Sequence, residues 1–209
     1  QLPSKKTALH PRQPLIKTPP EAQALTSQYI DEIVLFNKAH NIVGRNTKQE
    51  ILELDIGDSE TILDHTKEQE KILDIGSGAG LPGIIIAINQ PWSHVVMSEK
   101  SKKKAYFIKK TIKSLGLKNA EVINTAITPS TKHPIHFDVI TARALGSSND
   151  IVNMSSHLLA PNGIFLLMKG KKETLTNELN DLDNTKYSYT IHSKRLPKTQ
   201  RHILEIKKK

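Results

Sequence analysis

Apolar residues recur at helical spacing in the first part of the chain, from about residue 21. Four of them are separated by four, four and three positions: Leu25, Tyr29, Ile33 and Phe36. This spacing predicts an amphipathic helix that ends near Asn41. Thr47 precedes Glu50 by three residues, a capping-box pattern that predicts the start of a second, shorter helix. We therefore expect residues 21–66 to form an N-terminal helical segment.

From residue 71 onward, short apolar runs alternate with stretches of helical length. The predicted strands are 71–75, 95–98, 120–124, 137–142 and 164–168, and the predicted helices are 81–90, 101–115, 147–159 and 173–182. A Pro-Asn-Gly turn at 161–163 precedes the last of these strands. The runs 187–192 and 202–206 have no helix between them, which predicts an antiparallel hairpin at the sheet edge. The alternation predicts an α/β fold with a doubly wound, mostly parallel sheet over residues 67–209.

The first 20 residues differ in composition from the rest of the chain. They contain five prolines and four Lys or Arg residues, but no acidic residue. Proline at this density prevents regular structure, and the few apolar side chains do not offset the entropy lost on ordering. We expect a disordered basic tail, with an RNA-contacting arm and an organelle transit segment as the alternatives.

The composition gives the chain a net positive charge and excludes several kinds of chemistry. Thirty Lys and Arg residues against 21 Asp and Glu give a formal net charge of +9, which favours an anionic partner such as nucleic acid. The absence of cysteine excludes disulfides, thiolate metal sites, iron–sulfur clusters and cysteine nucleophiles. The nine histidines are scattered without ligand spacing, so we expect no metal.

The chain contains no apolar run of the length that a membrane helix needs. The longest one, at residues 81–88, has eight residues and includes Pro82 and Gly83, whereas a span requires roughly 18. The first 20 residues also lack the hydrophobic centre of a secretory signal. We expect a cytoplasmic monomer that does not bind membranes.

A glycine-rich stretch at residues 74–80, Asp-Ile-Gly-Ser-Gly-Ala-Gly, follows the first predicted strand and leads into a helix. Glycine permits a tight turn and a close approach to a ligand, and the helix N-terminus offers free N–H groups. The dinucleotide fingerprint fails, because the sixth position counted from Gly76 is Leu81.

Asp74 would repel a pyrophosphate, but it suits a ligand that carries an ammonium group. S-adenosylmethionine meets this requirement, and Glu99 ends the second predicted strand, where an acid accepts the ribose hydroxyls. We therefore expect S-adenosylmethionine as the cofactor, with Asp74, Gly76, Gly78 and Glu99 at its site.

Six short segments between residues 36 and 207 carry a family resemblance. They are Phe-Asn-Lys-Ala-His-Asn-Ile at 36–42, Asp-Ser at 58–59, the glycine loop with its Leu-Pro-Gly extension at 74–83, Thr-Ala-Arg-Ala at 141–144, Met-Lys-Gly at 168–170 and Arg-His at 201–202. The extension is the most specific of these, because it is unusual among methyltransferases. Together they resemble the ribosomal RNA small subunit methyltransferase G family, also called glucose-inhibited division protein B.

The resemblance implies a Rossmann-like class I methyltransferase fold, and it implies methylation of guanine N7 in 16S ribosomal RNA. The RNA, free or in the small ribosomal subunit, is then the partner. Gly76 and Leu81 would line the methionine end of S-adenosylmethionine, and Glu99 would hold its ribose. Ala126 and Ile127 would frame the adenine.

Two departures from the family pattern are visible. The family has Arg-x-Glu where this chain has Thr-Ala-Ile at 125–127, so any adenine hydrogen bond there must come from the backbone. The family's histidine ahead of the Asp-Ser pair is replaced by Asp55. A catalytically weakened RNA- or ribosome-binding protein is therefore the alternative function, and a small-molecule methyltransferase is a third possibility.

The expected chemistry needs placement rather than a base. Guanine N7 carries an unshared electron pair in the ring plane, so its methylation requires no prior deprotonation, and we expect no catalytic dyad. The resemblance implies that Arg143 lies beside the cofactor, and we expect it to act as an orienting residue rather than a base, since a guanidinium does not deprotonate in proteins. Loops at the strand ends border the cofactor cleft, and their candidates for RNA binding are Lys169, Lys171, Lys172, Arg201 and His202.

Overall fold

The computed structural model describes residues 20–45, 47–170, 172–196 and 199–209. Within these residues seven strands form one sheet: β1 (Lys71–Ile75), β2 (His94–Ser98), β3 (Ala120–Ile123), β4 (Phe137–Arg143), β5 (Leu159–Lys169), β6 (Tyr187–Leu196) and β7 (Thr199–Lys208). Their order across the sheet is β3-β2-β1-β4-β5-β7-β6. The reversal beside β1 puts a crevice at the carboxyl ends of β1 and β4, where α/β sheets bind their ligands.

The pairing of the strands confirms the predicted sheet. The first five strands pair in parallel, whereas β7 runs antiparallel to β5 and β6 runs antiparallel to β7. The two closing strands form the predicted hairpin, and each is longer than its apolar run suggested. Their polar ends join the ladder because backbone hydrogen bonding requires no apolar side chain.

Seven α-helices flank the sheet in the described part of the chain: α1 (Pro20–His40), α2 (Lys48–Glu50), α3 (Gly57–Glu60), α4 (Gly83–Asn89), α5 (Lys102–Ser114), α6 (Ser148–Ser155) and α7 (Lys172–Leu179). Buried side chains of α1, α4 and α5 belong to one hydrophobic cluster, and those of α6 and α7 belong to a second. These two clusters are the cores on the two faces of the doubly wound sheet. None of the described helices is both long and apolar enough to cross a membrane.

The N-terminal helical segment packs on the first of these cores. Tyr29 and Ile33 of α1 are fully buried, and the Phe36 ring lies 4.9 Å from the Phe107 ring of α5. Thr47 and Glu50 form the predicted capping box at the start of α2. From there the chain continues through a π-helical turn, α3 and a 3-10 turn to residue 64. The helical periodicity of residues 25–36 therefore marked a real buried face.

Several predicted boundaries differ from the structure, and two of the differences have a clear local cause. The helix predicted over 147–159 ends as α6 at Ser155 and is followed by a 3-10 turn, Ser156–Leu158. The turn predicted at 161–163 lies inside β5, where the ladder shifts between the Phe137–Leu159 and Val139–Ile164 pairs. The turn-forming residues therefore make an irregularity in a strand instead of preceding it. The tail predicted for residues 1–20 lies, except for Pro20, outside the described residues.

Candidate active site

The glycine loop at residues 76–80 folds back onto the end of β2. The N–H groups of Gly76 and Ser77 both donate to the Ser98 carbonyl, at 2.8 and 3.2 Å. Gly76 and Gly78 have φ angles of +68° and +61°, in the left-handed region that favours glycine. The tight turn predicted from the sequence is therefore present, at the carboxyl end of β1.

Asp74 supports this loop from within the core. Its side chain is completely buried, and its Oδ2 accepts a hydrogen bond of 3.0 Å from the Gly83 N–H. Its Oδ1 is buried without a hydrogen-bond partner among the described residues. Burial raises the pKa of Asp74 to about 6, against the lowering effect of the Gly83 hydrogen bond. Asp74 therefore holds the turn in place through Oδ2, while its Oδ1 accepts no hydrogen bond from the described residues.

Tyr29 of α1 supports the same loop from the N-terminal segment. Its buried hydroxyl donates a hydrogen bond of 2.7 Å to the Ala79 carbonyl, and burial raises the pKa of the Tyr29 phenol well above its usual range. The sequence pattern showed Tyr29 only as one residue of an apolar stripe. A tyrosine among aliphatic positions was the available signal, because a buried hydroxyl requires a partner.

A cavity of about 750 Å³ lies against the glycine loop. Its wall includes Gly76, Gly78 and Leu81, three of the residues predicted to bind the cofactor. The segment 42–45 that follows α1, together with the carboxyl ends of β4 and β5, forms further parts of the wall. Its size is typical of a site for a small molecule.

Asn37 fixes the segment 42–45 against the cavity. Its Oδ1 accepts hydrogen bonds from the N–H groups of Ile42 and Val43, and its Nδ2 donates to the carbonyls of Val43 and Arg45. These four bonds join the end of α1 to the chain that follows it. Asn37 belongs to the first segment of the family resemblance, and the structure gives that position a physical role.

Five charged side chains alternate in sign along one part of the cavity wall. Arg45 pairs with Asp55 at 3.5 Å, and Arg143 Nη1 lies 3.2 Å from Asp55 and 3.5 Å from Asp58. Arg201 pairs with Asp58 at 3.0 Å. We call this set the arginine–aspartate row. With three cations and two anions it presents a positive surface to the cavity, and Arg143 occupies its centre.

Within the row, the pKa of Asp58 lies above its ordinary value. Burial raises the pKa of Asp58, while the charges of Arg201 and Arg143 act in the opposite direction. Asp55 pairs with both Arg45 and Arg143. Its carboxylate therefore orients two guanidinium groups.

Lys169 and Glu178 form a second ion pair in the wall, with 2.6 Å between Nζ and Oε2. Burial alone would raise the pKa of Glu178, but hydrogen bonds from Lys169 and Ser148 outweigh it and lower the pKa. The Lys169 side chain is only 11% exposed. Its charge is thus largely used inside the protein, and the pair links β5 to α7.

Glu99 lies beside the loop but outside the described cavity wall. It is 6% exposed, and its two carboxylate oxygens accept hydrogen bonds from the N–H groups of Gly78 and Ser101, at 2.9 and 2.8 Å. Each oxygen retains a second lone pair. Binding of ribose by Glu99 remains a prediction that requires these oxygens to become accessible.

The two residues predicted to frame the adenine, Ala126 and Ile127, differ in their exposure to solvent. Ala126 is exposed on the loop after β3, whereas the Ile127 side chain is buried in the second hydrophobic core. Neither lines the cavity. The loop is fixed to the end of β2, because Ser98 Oγ donates to the Thr125 carbonyl at 2.7 Å. A backbone contact from this loop to adenine therefore stays a prediction, and a side-chain contact from Ile127 is not supported.

The RNA-binding candidates also fall into different environments. Arg201 and Lys169 line the cavity, but His202 is 2% exposed and its Nδ1 lies 2.8 Å from Ser193 Oγ. The prediction that His202 contacts RNA is not supported, because alternation along β7 turns it into the sheet interior while Arg201 faces the cavity. Lys171 lies outside the described residues, and of Lys172 only the backbone, at the start of α7, is described.

The cavity fits S-adenosylmethionine on grounds independent of the sequence motif. Five cations and three carboxylates are among its described lining residues: Arg45, Lys104, Arg143, Lys169, Arg201, Asp55, Asp58 and Glu178. The amino acid end of this cofactor carries both an ammonium and a carboxylate, so it requires both signs of charge. Asp74, whose Oδ1 has no hydrogen-bond partner among the described residues, lies beneath the glycine loop; it is fully buried and is not among the described lining residues.

Tyr29→Phe tests the support that α1 gives the loop. The substitution leaves the Ala79 carbonyl without its donor, and we expect the free energy of unfolding to fall by about 1–3 kcal/mol. We also expect weaker binding of S-adenosylmethionine, measured by calorimetry, because Ala79 lines the cavity. Tyr106→Phe is the matched control, since this tyrosine is 63% exposed. Equal effects of the two substitutions would contradict the assignment.

Asp74→Asn tests the burial of the loop carboxylate. In wild type the folded state binds this proton more tightly than the unfolded state, so stability falls as the pH rises from about 4 through 6 and stays lower above. The variant lacks this titration. Urea unfolding at several pH values should show wild type losing about 2–2.5 kcal/mol relative to the variant between pH 4 and 7. A difference that is constant over this range would show that the carboxylate is solvated.

Comparison with known proteins identifies the family. The family model described as GidB, rRNA small subunit methyltransferase G, matches residues 22–205. Proteins named ribosomal RNA small subunit methyltransferase G are similar to this chain. The one from Psychrobacter cryohalolentis is 37% identical over 180 residues, covering 85% of this chain and 73% of that protein. The one from Coxiella burnetii is 31% identical over 194 residues and covers 92% of both chains.

Solved structures show the same fold at low sequence identity. A SAM-dependent methyltransferase from Aquifex aeolicus has a TM-score of 0.59 at 16% identity, covering 86% of this chain and 97% of that chain. A precorrin-6y C5,15-methyltransferase from Geobacter metallireducens has a TM-score of 0.58 at 16% identity, covering 82% and 92%. These likenesses confirm the Rossmann-like class I methyltransferase fold. From the family match and the relatives above, the chain belongs to the rRNA small subunit methyltransferase G family.

Proposed function

We propose that this chain transfers the methyl group of S-adenosylmethionine to N7 of a guanine in 16S ribosomal RNA. The observation that carries the proposal is the composition of one cavity wall. It combines the glycine loop, whose backbone can approach a ligand closely, with the arginine–aspartate row, whose net positive charge attracts RNA. Membership of the family supplies the substrate class.

The cofactor side of the cavity is formed by the glycine loop and its supports. Gly76, Gly78 and Leu81 would hold the methionine end, and Glu99 would hold the ribose once its oxygens are accessible. When bound, S-adenosylmethionine supplies an activated methyl group on a positively charged sulfur. The chain's own residues orient the two reactants and exclude water, which can contribute roughly 7–11 kcal/mol to lowering the barrier.

The ionisable groups of the wall support N7 as the acceptor atom. The three carboxylates among the described lining residues, Asp55, Asp58 and Glu178, are each held in an ion pair, and no histidine or tyrosine is among these lining residues. An acceptor that must first lose a proton would need a free base in this place. Guanine N7 needs none, because its lone pair is already available.

The arginine–aspartate row supplies the contact to RNA. A guanidinium presents several donors in a fixed plane and pairs with phosphate or with the guanine O6 edge. Arg143 is the central guanidinium, bonded on one side to Asp55 and Asp58, and we propose that it orients the target nucleotide. Arg201 would contact the flanking chain where it reaches the cavity, whereas Lys169 stays paired with Glu178.

The activity is tested with the purified chain and two forms of the substrate. Protein-free 16S rRNA and 30S subunits, both from a strain without its own methyltransferase of this family, are incubated with isotopically labelled S-adenosylmethionine. Nuclease digestion and mass spectrometry should show labelled 7-methylguanosine from at least one form. Binding of RNA without any methyl transfer would overturn the proposal in favour of the weakened RNA- or ribosome-binding protein, and methylation of another atom would overturn the choice of N7.

Arg143→Ala tests the orienting role. We expect kcat/KM for methyl transfer to fall by about 10–100-fold, the equivalent of one lost charged hydrogen bond. The matched variants are Asp55→Asn and the double variant Arg143→Ala with Asp55→Asn. If Arg143 contacts the substrate, the double variant stays as slow as Arg143→Ala. Recovery of the double variant to the rate of Asp55→Asn would show that Arg143 acts only by neutralising Asp55.

A further inference from the structure

A cluster of metal-ligating side chains lies outside the cavity wall. His65 follows the 3-10 turn at the end of the N-terminal helical segment, and His192 and Glu205 lie on the neighbouring strands β6 and β7. None of the three lines the cofactor cavity. We propose that these residues form a binding site for a single zinc ion, independent of the methyl-transfer reaction.

The geometry brings one ligand atom of each residue together. These three atoms all lie within 4.8 Å of one another. His192 Nε2 lies 3.0 Å from Glu205 Oε2, and the ring centroids of His65 and His192 are 4.3 Å apart. Ligands of a tetrahedral zinc ion with bonds of 2.0–2.1 Å are about 3.3 Å apart. Small rotations about side-chain bonds therefore suffice to close the site.

The donor set suits zinc. Two imidazole nitrogens and one carboxylate oxygen form a known three-ligand zinc set that leaves the fourth position for water. A neutral imidazole offers a metal ion the lone pair of one ring nitrogen. The His192 side chain is 33% exposed, and an ion can therefore enter from solvent.

The charges around the cluster permit a cation. Lys194 is paired with Asp64 at 2.5 Å, and Arg201 is paired with Asp58. Lys207 pairs with Oε1 of Glu205, whereas the histidine contact uses Oε2. The nearby cations therefore each have a carboxylate partner, and Glu205 can bind an ion through Oε2 while it keeps Lys207.

The position of the site gives the ion a structural effect. His65 belongs to the N-terminal segment and the other two ligands to the closing hairpin, so one zinc ion would join parts of the chain that are distant in sequence. An ion that binds only the folded state stabilises it. The expectation of no metal rested on spacing along the chain, and such spacing is absent when the ligands come from separate elements.

The test uses the full chain after chelator treatment and zinc chloride as the probe. Titration against a chromophoric chelator should show one zinc equivalent per chain, and zinc should raise the melting temperature. Loss of a partner of a metal ligand already costs about 10–100-fold in affinity, so loss of a direct ligand should cost at least about tenfold. His65→Ala, His192→Ala and Glu205→Gln should each weaken zinc binding by this amount and abolish the rise in melting temperature.

The chain provides a matched control in His94 and Glu121. Their side chains form a histidine–carboxylate pair with the same 3.0 Å separation, and they are not part of a three-ligand cluster among the described residues. His94→Ala should leave zinc binding unchanged. Circular dichroism and S-adenosylmethionine binding should be normal in all four variants, which excludes unfolding as the cause of any loss.

X-ray absorption of the zinc-loaded chain supplies a second measurement. It should show nitrogen and oxygen ligands at about 2.0–2.1 Å, with imidazole scattering that decreases in His192→Ala. Absence of a stoichiometric site in wild type would overturn the proposal. A loss of affinity in His94→Ala equal to that in His192→Ala would also overturn it, because zinc would then bind surface histidines in general.

Discussion

The cavity depends on two buried aspartates, Asp55 and Asp58, whose carboxylates pair with arginines from three parts of the chain. Asp55 and Asp58 come from the N-terminal helical segment, whereas Arg143 ends β4 and Arg201 lies on β7. A buried carboxylate that loses its partner costs several kcal/mol, about 3–5 in measured cases. The segment, the sheet and the hairpin must therefore be assembled together before the charges are compensated. This requirement joins formation of the site to formation of the fold.

The local signals in the sequence predicted the architecture well. Helical spacing over residues 25–36 gave α1, and the Thr47 capping box gave α2, because both patterns depend on neighbours within a few residues. The parallel direction of the first five strands followed from the alternation of strands and helices along the chain. The errors arose where pairing partners decide the outcome. The Pro-Asn-Gly sequence at 161–163 has the residues of a turn, yet the ladder with β4 continues on both sides and holds it as an irregularity in β5.

The features of the site that depend on neighbouring residues were predictable, whereas those that depend on distant residues were not. The glycine loop is contiguous, so its tight turn could be inferred from seven residues. The supports of the loop come from far away in the chain: Tyr29 bonds a residue fifty positions later. His202 shows the converse, because its neighbour Arg201 faces the cavity while His202 is buried. Which of two adjacent residues on a strand points inward depends on register, and register is set by pairing.

Under the proposed function, the two parts of the cavity wall would let a single fold combine a reactive cofactor with a large polyanion. In the proposed reaction the cofactor side would use backbone groups of the glycine turn, which neither titrate nor add net charge. The RNA side would use guanidinium groups such as that of Arg143, which Asp55 and Asp58 hold in position before a substrate arrives. Because those aspartates are already engaged, they cannot compete as nucleophiles or bases. The reaction is left to the two reactants, and the protein contributes their alignment.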